Sequence, residues 1–190
     1  FFKYSMFNYP NLWRFIPIII FYFSLYFLNI ISTKRFKEVF FIFTRDFDDI
    51  DEIINCFWIK HKSKIKSFYF EKKSPKDVLI SASPSFLLKP ISKELDFYHL
   101  ISTDFDLSQQ KIIGENCYGI EKLKKLYIWN KDVIINDFYS DSLSDQPLAE
   151  KANNSFIINQ CKISPWPNHN KEELKKTLMS LDFIRFVFCG

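Results

Sequence analysis

The sequence predicts an α/β fold: a parallel sheet covered by helices on both faces, preceded by an all-helical subdomain. Three observations predict it. Up to Ser74-Pro75, apolar residues recur at helical spacing and turn signals are few. Beyond Pro75, short apolar runs of strand length alternate with helical patterns, the signature of βαβ units. The length of 190 residues fits one domain with an inserted subdomain, and a chain of that size buries about 70% of its unfolded surface. The expected division is 1–74 helical, 75–166 α/β and 167–190 a C-terminal tail.

Residues 11–31 read as one very apolar helix, about 34–45 as a second and about 48–70 as a third. Ser32-Thr33 ahead of Lys34 marks a helix start. Asp46 to Glu52 supplies the acidic first turn that a helix N-terminus favours. The segment Phe15–Ile31 would span about 26 Å as a helix, short of the roughly 20 residues that a hydrocarbon core of about 30 Å requires. Pro17, Ser24 and Asn29 also interrupt it. A buried helix is therefore preferred to a membrane span, with a partly membrane-facing surface as a third reading.

After Pro75, Val78-Leu79-Ile80 is expected as a short buried strand. Ser83-Pro84 then opens a helix to about Leu95, with Pro in the first turn. Tyr98–Ser102 is a second short apolar run, and a polar, hairpin-like stretch follows to Gly114. A helix starts at about Gly119. Val133-Ile134-Ile135 begins another buried strand, and Phe156-Ile157-Ile158 ends the series. Lys171–Ser180 reads as an amphipathic helix and Phe183–Phe188 as apolar.

Composition bounds function loosely. Twenty-three Phe, nine Tyr and only three Gly reflect coding bias of an AT-rich gene more than a task. The net charge of +4 is mild. Lys clusters at Lys60–Lys66 and Lys122–Lys125 read as solvated helix faces, so nucleic acid is not an expected partner. Cys56, Cys117, Cys161 and Cys189 lie far apart with no His at ligand spacing, which argues against a zinc site or disulfide framework. Reduced thiols and a cytoplasmic location are the expectation. His61, His99 and His169 are isolated and read as structural or exposed. The first residue is Phe, with no charged leader or cleavage site near it, which suggests a fragment of a longer protein.

Ligands in open parallel sheets bind at the carboxyl ends of strands, and two such ends carry polar groups. Ser81 ends the first strand, in Ile80-Ser81-Ala82-Ser83-Pro84. Asp141 ends a later one, in Tyr139-Ser140-Asp141-Ser142-Leu143-Ser144-Asp145-Gln146-Pro147-Leu148. Between them, Lys122 sits in the first turn of a helix in Asn116-Cys117-Tyr118-Gly119-Ile120-Glu121-Lys122. A hydroxyl donor, a fixed cation and a carboxylate pair are what a phosphoryl group needs around its oxygens. Hard cations such as Mg²⁺ take one or two carboxylates plus water and phosphate. Taken singly each feature has a plain reading: a Ser cap, a solvated Lys, and an Asp/Ser turn opening a helix. Their order is harder to obtain by chance.

These three segments resemble motifs II, III and IV of the haloacid dehalogenase superfamily. More narrowly, they are similar to the subfamily IB, phosphoserine-phosphatase-like enzymes, which insert a helical cap after motif I. The resemblance extends to about Trp166 and implies a Rossmann-like core with that cap. It implies that Ser81 and Ala82 bind phosphate, that Lys122 offsets charge on the phosphoryl group, and that Asp141 and Asp145 hold Mg²⁺, supported by Ser142 and Ser144. Three departures stand out. Ser144 occupies a position often Asn in phosphoserine phosphatases, Ser140 stands where many relatives have Gly, and Lys122 lies one helical turn later than usual.

The family chemistry also needs motif I, an Asp-x-Asp-x-Thr on the first strand, whose first Asp attacks phosphorus. No such strand occurs among these residues, and the expectation is that motif I lies upstream of Phe1. Asp46-Phe47-Asp48 imitates the motif but sits in the helical region. Asp104-Phe105-Asp106 follows Ser81, which is the wrong order. The expected function is Mg²⁺-dependent hydrolysis of a small phosphate monoester through an aspartyl-phosphate, by an intact protein of which this fragment alone is inactive. The alternatives are a non-catalytic phosphate-ester-binding module and a membrane-associated lipid-phosphate phosphatase. A small phosphorylated substrate is the expected partner, and a membrane surface the less favoured one.

Overall fold

The structure is a computed structural model and describes residues 1–159 and 162–167. The chain divides into two compact units, Phe1–Ile65 with Pro75–Asn116, and Lys66–Ser74 with Cys117–Gly190. These follow contacts, and are a different partition from the 1–74 and 75–166 division expected from pattern.

The first unit opens with α1 (Phe2–Asn8), a 3₁₀ segment (Pro10–Phe15) and α2 (Ile16–Phe27). The single helix expected over 11–31 is thus interrupted at both ends. Pro17 falls at the start of α2, where its missing N–H costs nothing. At the other end Asn29 adopts φ +58°. Its N–H donates to Tyr26 O at 2.9 Å and that of Ile30 to Leu25 O at 2.9 Å, a Schellman stop. No helix among the described residues is long and apolar enough to cross a membrane.

Helix α3 (Thr33–Phe40) begins where Ser32 predicts: its Oγ accepts from Arg35 N at 3.2 Å. Ser32→Ala should cost about 1 kcal/mol in a urea unfolding titration, the usual loss for an N-cap hydroxyl. The helix stops at Phe40, and a 3₁₀ segment, Ile42–Asp46, replaces its expected last turn. Helix α4 (Ile50–His61) is capped by Asp49, which accepts from Glu52 N at 2.9 Å. The third expected helix does not run on to residue 70. It ends at His61, a short 3₁₀ turn follows, and α5 (Ser67–Lys72) starts afresh. Lys60 with Lys64, and Lys62 with Lys66, would set like charges one turn apart on a continuous helix, which is destabilising.

Strand β1 (Val78–Pro84) pairs in parallel with β2 (His99–Thr103), and α6 (Ser85–Glu94) connects them. Residues Val78 to Ser83 are only half buried, because among the described residues this sheet has two strands and β1 is paired on one side. Pro84 is the N-cap of α6 and not a first-turn residue, since it still belongs to the strand. Strands β3 (Phe105–Asp106) and β4 (Lys111–Ile112) form the expected hairpin. Aromatic residues fill the interior: Phe43 is fully buried, and Phe41 meets Phe86 and Phe105 edge-on with centroids 5.7 and 5.9 Å away. Trp58 satisfies its buried Nε1 on Leu87 O at 2.8 Å, which ties α4 to α6.

The second unit contains α5, α7 (Ile120–Trp129), β5 (Ile135–Ser140), a 3₁₀ turn (Leu143–Asp145), α8 (Gln146–Ala149), β6 (Ala152–Asn159) and β7 (Lys162–Pro165). Strands β5 and β6 are parallel, and β7 adds antiparallel to β6. The apolar residues Val133 and Ile134 precede β5, and Ile134 is exposed. Tyr139 stacks on Phe156 across the β5–β6 pair at 5.0 Å, and Phe68 of α5 lies 5.9 Å from Tyr139. The helix expected over Lys171–Ser180 and the apolar run Phe183–Phe188 lie outside the described residues.

Candidate active site

In the first unit, regular β1–β2 pairing runs from Val78↔His99 to Ile80↔Ile101 and then slips, resuming at Pro84↔Thr103. Ser81, Ala82 and Ser83 occupy this irregularity. Ser81 is therefore not the last residue of the strand, but it is where the ladder gives way. Such bulges re-aim side chains. Ser81 Oγ accepts from Ser83 N at 3.2 Å, which leaves its own hydrogen to donate. The carbonyl of Ala82 accepts from Lys37 Nζ at 2.8 Å and from Thr103 Oγ1 at 2.9 Å. Lys37 also reaches Asn116 Oδ1 at 2.7 Å, and Thr103 Oγ1 lies 3.1 Å from the same atom.

This buried network is absent from the sequence reading. Lys37 lies in Thr33-Lys34-Arg35-Phe36-Lys37-Glu38, which looks like a solvated helix face. The signal was the spacing: Lys34, Lys37 and Glu38 lie on one side of α3. All three bond to the segment after β3, Lys34 Nζ to Gly114 O at 2.5 Å and Glu38 Oε1 from Ile112 N at 3.2 Å.

In the second unit, Gly119 is the N-cap of α7 at φ +56°, ψ −126°, a conformation that L side chains resist. A Cβ there would meet Ser144 O at 3.8 Å, so the backbone angle and not crowding asks for glycine. Lys122 follows in the first turn, as expected, but it is not solvated. It is buried, and its Nζ lies 2.7 Å from Asp145 Oδ2. Only 11% of the Lys122 side chain and 6% of that of Asp145 are exposed, which makes this a true buried pair. Ser140 Oγ donates to the same Oδ2 at 2.7 Å. The other oxygen, Asp145 Oδ1, is buried without a hydrogen-bond partner.

Asp141 follows β5 directly and pairs with Lys66 Nζ at 3.3 Å, a contact that sequence reasoning did not foresee. Ser142 Oγ and Ser144 Oγ share a hydrogen bond of 2.8 Å, and Ser142 caps the 3₁₀ turn that carries Asp145. Lys122, Ser140 and Asp145 are thus gathered in one cluster, beside the turn that holds Ser142 and Ser144.

The two imitations of motif I are spoken for. Asp46 ends the 3₁₀ segment after α3 and pairs with Arg14. Asp106 Oδ1 accepts from Ser108 Oγ at 2.6 Å, Ser108 N at 2.8 Å and Gln109 N at 3.1 Å. The Ser108 hydroxyl, then these backbone donors, hold its carboxyl below the usual range.

A divalent metal would find oxygen donors here. Among the described residues no group of three or more His, Cys, Asp or Glu is gathered. Mg²⁺, however, needs only one or two carboxylates beside water and phosphate oxygens. The part-exposed Asp141 and the unbonded Asp145 Oδ1 fit that donor type.

The fold is of the α/β class, with a Rossmann-type parallel arrangement. The sequence model of the haloacid dehalogenase-like hydrolases matches residues 2–150, and the chain belongs to that family. A crystal structure described as "the protein with unknown function from Bordetella pertussis Tohama I" is similar with a TM-score of 0.58 and 17% identity. The match covers 83% of this chain and 75% of that one, and it supports the Rossmann-type fold. No curated protein matches the chain.

Proposed function

We infer that the hydrolase chemistry of this protein is Mg²⁺-dependent cleavage of a small phosphate monoester, of the phosphoserine-phosphatase-like type. In this reading the chain supplies the phosphate- and metal-holding groups. The carrying observation is Asp145: one oxygen is fixed by Lys122 and Ser140, and the other is buried and unbonded. A buried polar atom left in that condition costs about 1–3 kcal/mol, which a bound cation or its water would offset.

Each residue then has a task. The resemblance to motif II would give Ser81, with the Ala82 backbone, the task of hydrogen-bonding phosphate, and the hydroxyl hydrogen of Ser81 is left to donate. Lys122 supplies a positive charge whose position Asp145 fixes in advance, so little reorganisation is needed as negative charge develops. Asp141 and Asp145 would hold Mg²⁺, which when bound neutralises phosphate charge. In this reading the attacking group is the carboxylate of a motif I aspartate. Its oxygen bonds to phosphorus as the ester P–O bond breaks, the alcohol leaves with a proton, and water then hydrolyses the acyl phosphate.

Mn²⁺ binding to the 190-residue chain, followed by electron paramagnetic resonance, tests the metal assignment without relying on turnover. Asp141→Asn should weaken binding by at least the roughly 10–100-fold that loss of an outer-shell partner costs. Unchanged binding would remove Asp141 from the site. Measurable p-nitrophenyl phosphate hydrolysis by the chain itself, lost in Asp141→Ala, would show that the nucleophile lies within it.

A further inference from the structure

We propose that the outer face of α2 docks on an anionic lipid surface, lying along the headgroup plane and not crossing it. Residues 17, 20, 21, 24, 27 and 28 fall on one side of this helix at i, i+3, i+4 and i+7 spacing. Ile20 is 58% exposed, Phe21 59%, Phe27 65% and Leu28 64%. The opposite side, with Ile19 buried, faces α3, where Tyr26 stacks on Phe36 at 5.2 Å. The helix therefore already has its packing partner on one side and carries an apolar stripe on the other. Ile30 and Trp13, at its two ends, are 64% and 58% exposed.

Charge selects lipid as the occupant. No charged residue occurs from Phe15 through Thr33, and Arg14 and Lys34 stand at the two borders. Residues 1–37 contain Lys3, Arg14, Lys34, Arg35 and Lys37 and no acid, so the chain's whole positive excess lies there. Lys37 is consumed in the buried network. Arg14 and Arg35 pair with Asp46 and Glu38, whose side chains are largely buried, yet the arginine side chains themselves stay 65% and 51% exposed and so present their outer N–H groups to the surface. An apolar stripe bordered by cations is the pattern of an interfacial helix. Length excludes the alternative of spanning. Twelve helical residues reach about 18 Å against a hydrocarbon core of about 30 Å.

The surface belongs to the first unit, and its test is independent of the phosphatase reading. The 190-residue chain is sedimented with vesicles of phosphatidylcholine alone or with phosphatidylglycerol added. Binding should appear on the anionic vesicles and fall about fivefold for each cation's worth of attraction that salt screens. Ile20→Ser with Phe21→Ser, both at exposed positions where folding is spared, should weaken it about tenfold per residue. Brominated acyl chains should quench Trp13, whose ring is anchored by Nε1 to Met6 O at 2.9 Å, and Trp13→Phe should remove that component. Equal binding to neutral vesicles, binding untouched by the double variant, or no binding at all would overturn the proposal. So would a dimer in light scattering that the same double variant dissociates, because the stripe would then be covered by a second copy.

Discussion

Asp145→Ala destabilises the protein by about 3–5 kcal/mol, the usual cost of leaving one member of a buried ion pair alone. The expectation follows from geometry. Lys122 and Asp145 are 2.7 Å apart, and at least nine-tenths of the Asp145 side chain is out of water. Without the carboxylate, the Lys122 ammonium keeps its desolvation cost and loses its compensation, and Ser140 Oγ loses its acceptor. Urea unfolding should show a lower midpoint at an unchanged slope. The double variant Lys122→Met with Asp145→Asn should recover much of the loss, because neither buried charge remains. A loss below about 1 kcal/mol for Asp145→Ala would mean that water screens the pair as it does at a surface. Lys122 would then not be a pre-positioned cation.

Lys37→Met should cost about 2–4 kcal/mol, although a lysine in so basic a segment would ordinarily be replaced at no cost. Two part-buried acceptors, Ala82 O and Asn116 Oδ1, accept from this ammonium. Thr103 Oγ1 is within reach of both but has one hydrogen, so it can satisfy one at a time. The other acceptor would be left part-buried and unbonded, toward the low end of about 1–3 kcal/mol, and a charge-assisted bond would be lost with the ammonium. Thermal unfolding measures the loss, and Lys37→Arg is the companion variant. Its planar fork cannot reproduce the ammonium's placement, so it should rescue only in part. A Lys37→Met protein as stable as the parent would reduce the network to surface contacts.

The alternation of strands and helices after Pro75 was legible because each apolar triplet is bounded by turn residues. Where the reading went astray, a local force had been left out. Helix α4 ends at His61, before Lys pairs that would repel one turn apart, Asn29 in a left-handed conformation ends α2, and β1, which among the described residues pairs on one side, is half exposed. The sequence proposes Ser81, Lys122 and Asp141–Asp145 from their order along the chain, and the structure brings Lys122 and Asp145 together. Their electrostatic partners could not be named that way, because pairing depends on which helices meet which loops. Lys122 reads as solvated in Glu121-Lys122-Leu123-Lys124-Lys125, and only tertiary structure buries it against Asp145. Lys66 lies 75 residues from Asp141, and Lys37 lies 79 from Asn116. At such separations periodicity carries no information.

The second unit's site sets two lysines against two carboxylates, Lys66 with Asp141 and Lys122 with Asp145. Locally these charges cancel. A phosphate dianion entering by itself would leave the neighbourhood strongly negative, and a divalent cation by itself would leave it strongly positive. Arriving together they restore neutrality. If the site takes phosphate and Mg²⁺ as proposed, each would raise the other's affinity, and by thermodynamic reciprocity the two enhancements would be the same factor. On the proposed reading, a metal bound alone would then hold less tightly than the same metal bound with phosphate, a difference that Mn²⁺ titration with and without phosphate would measure.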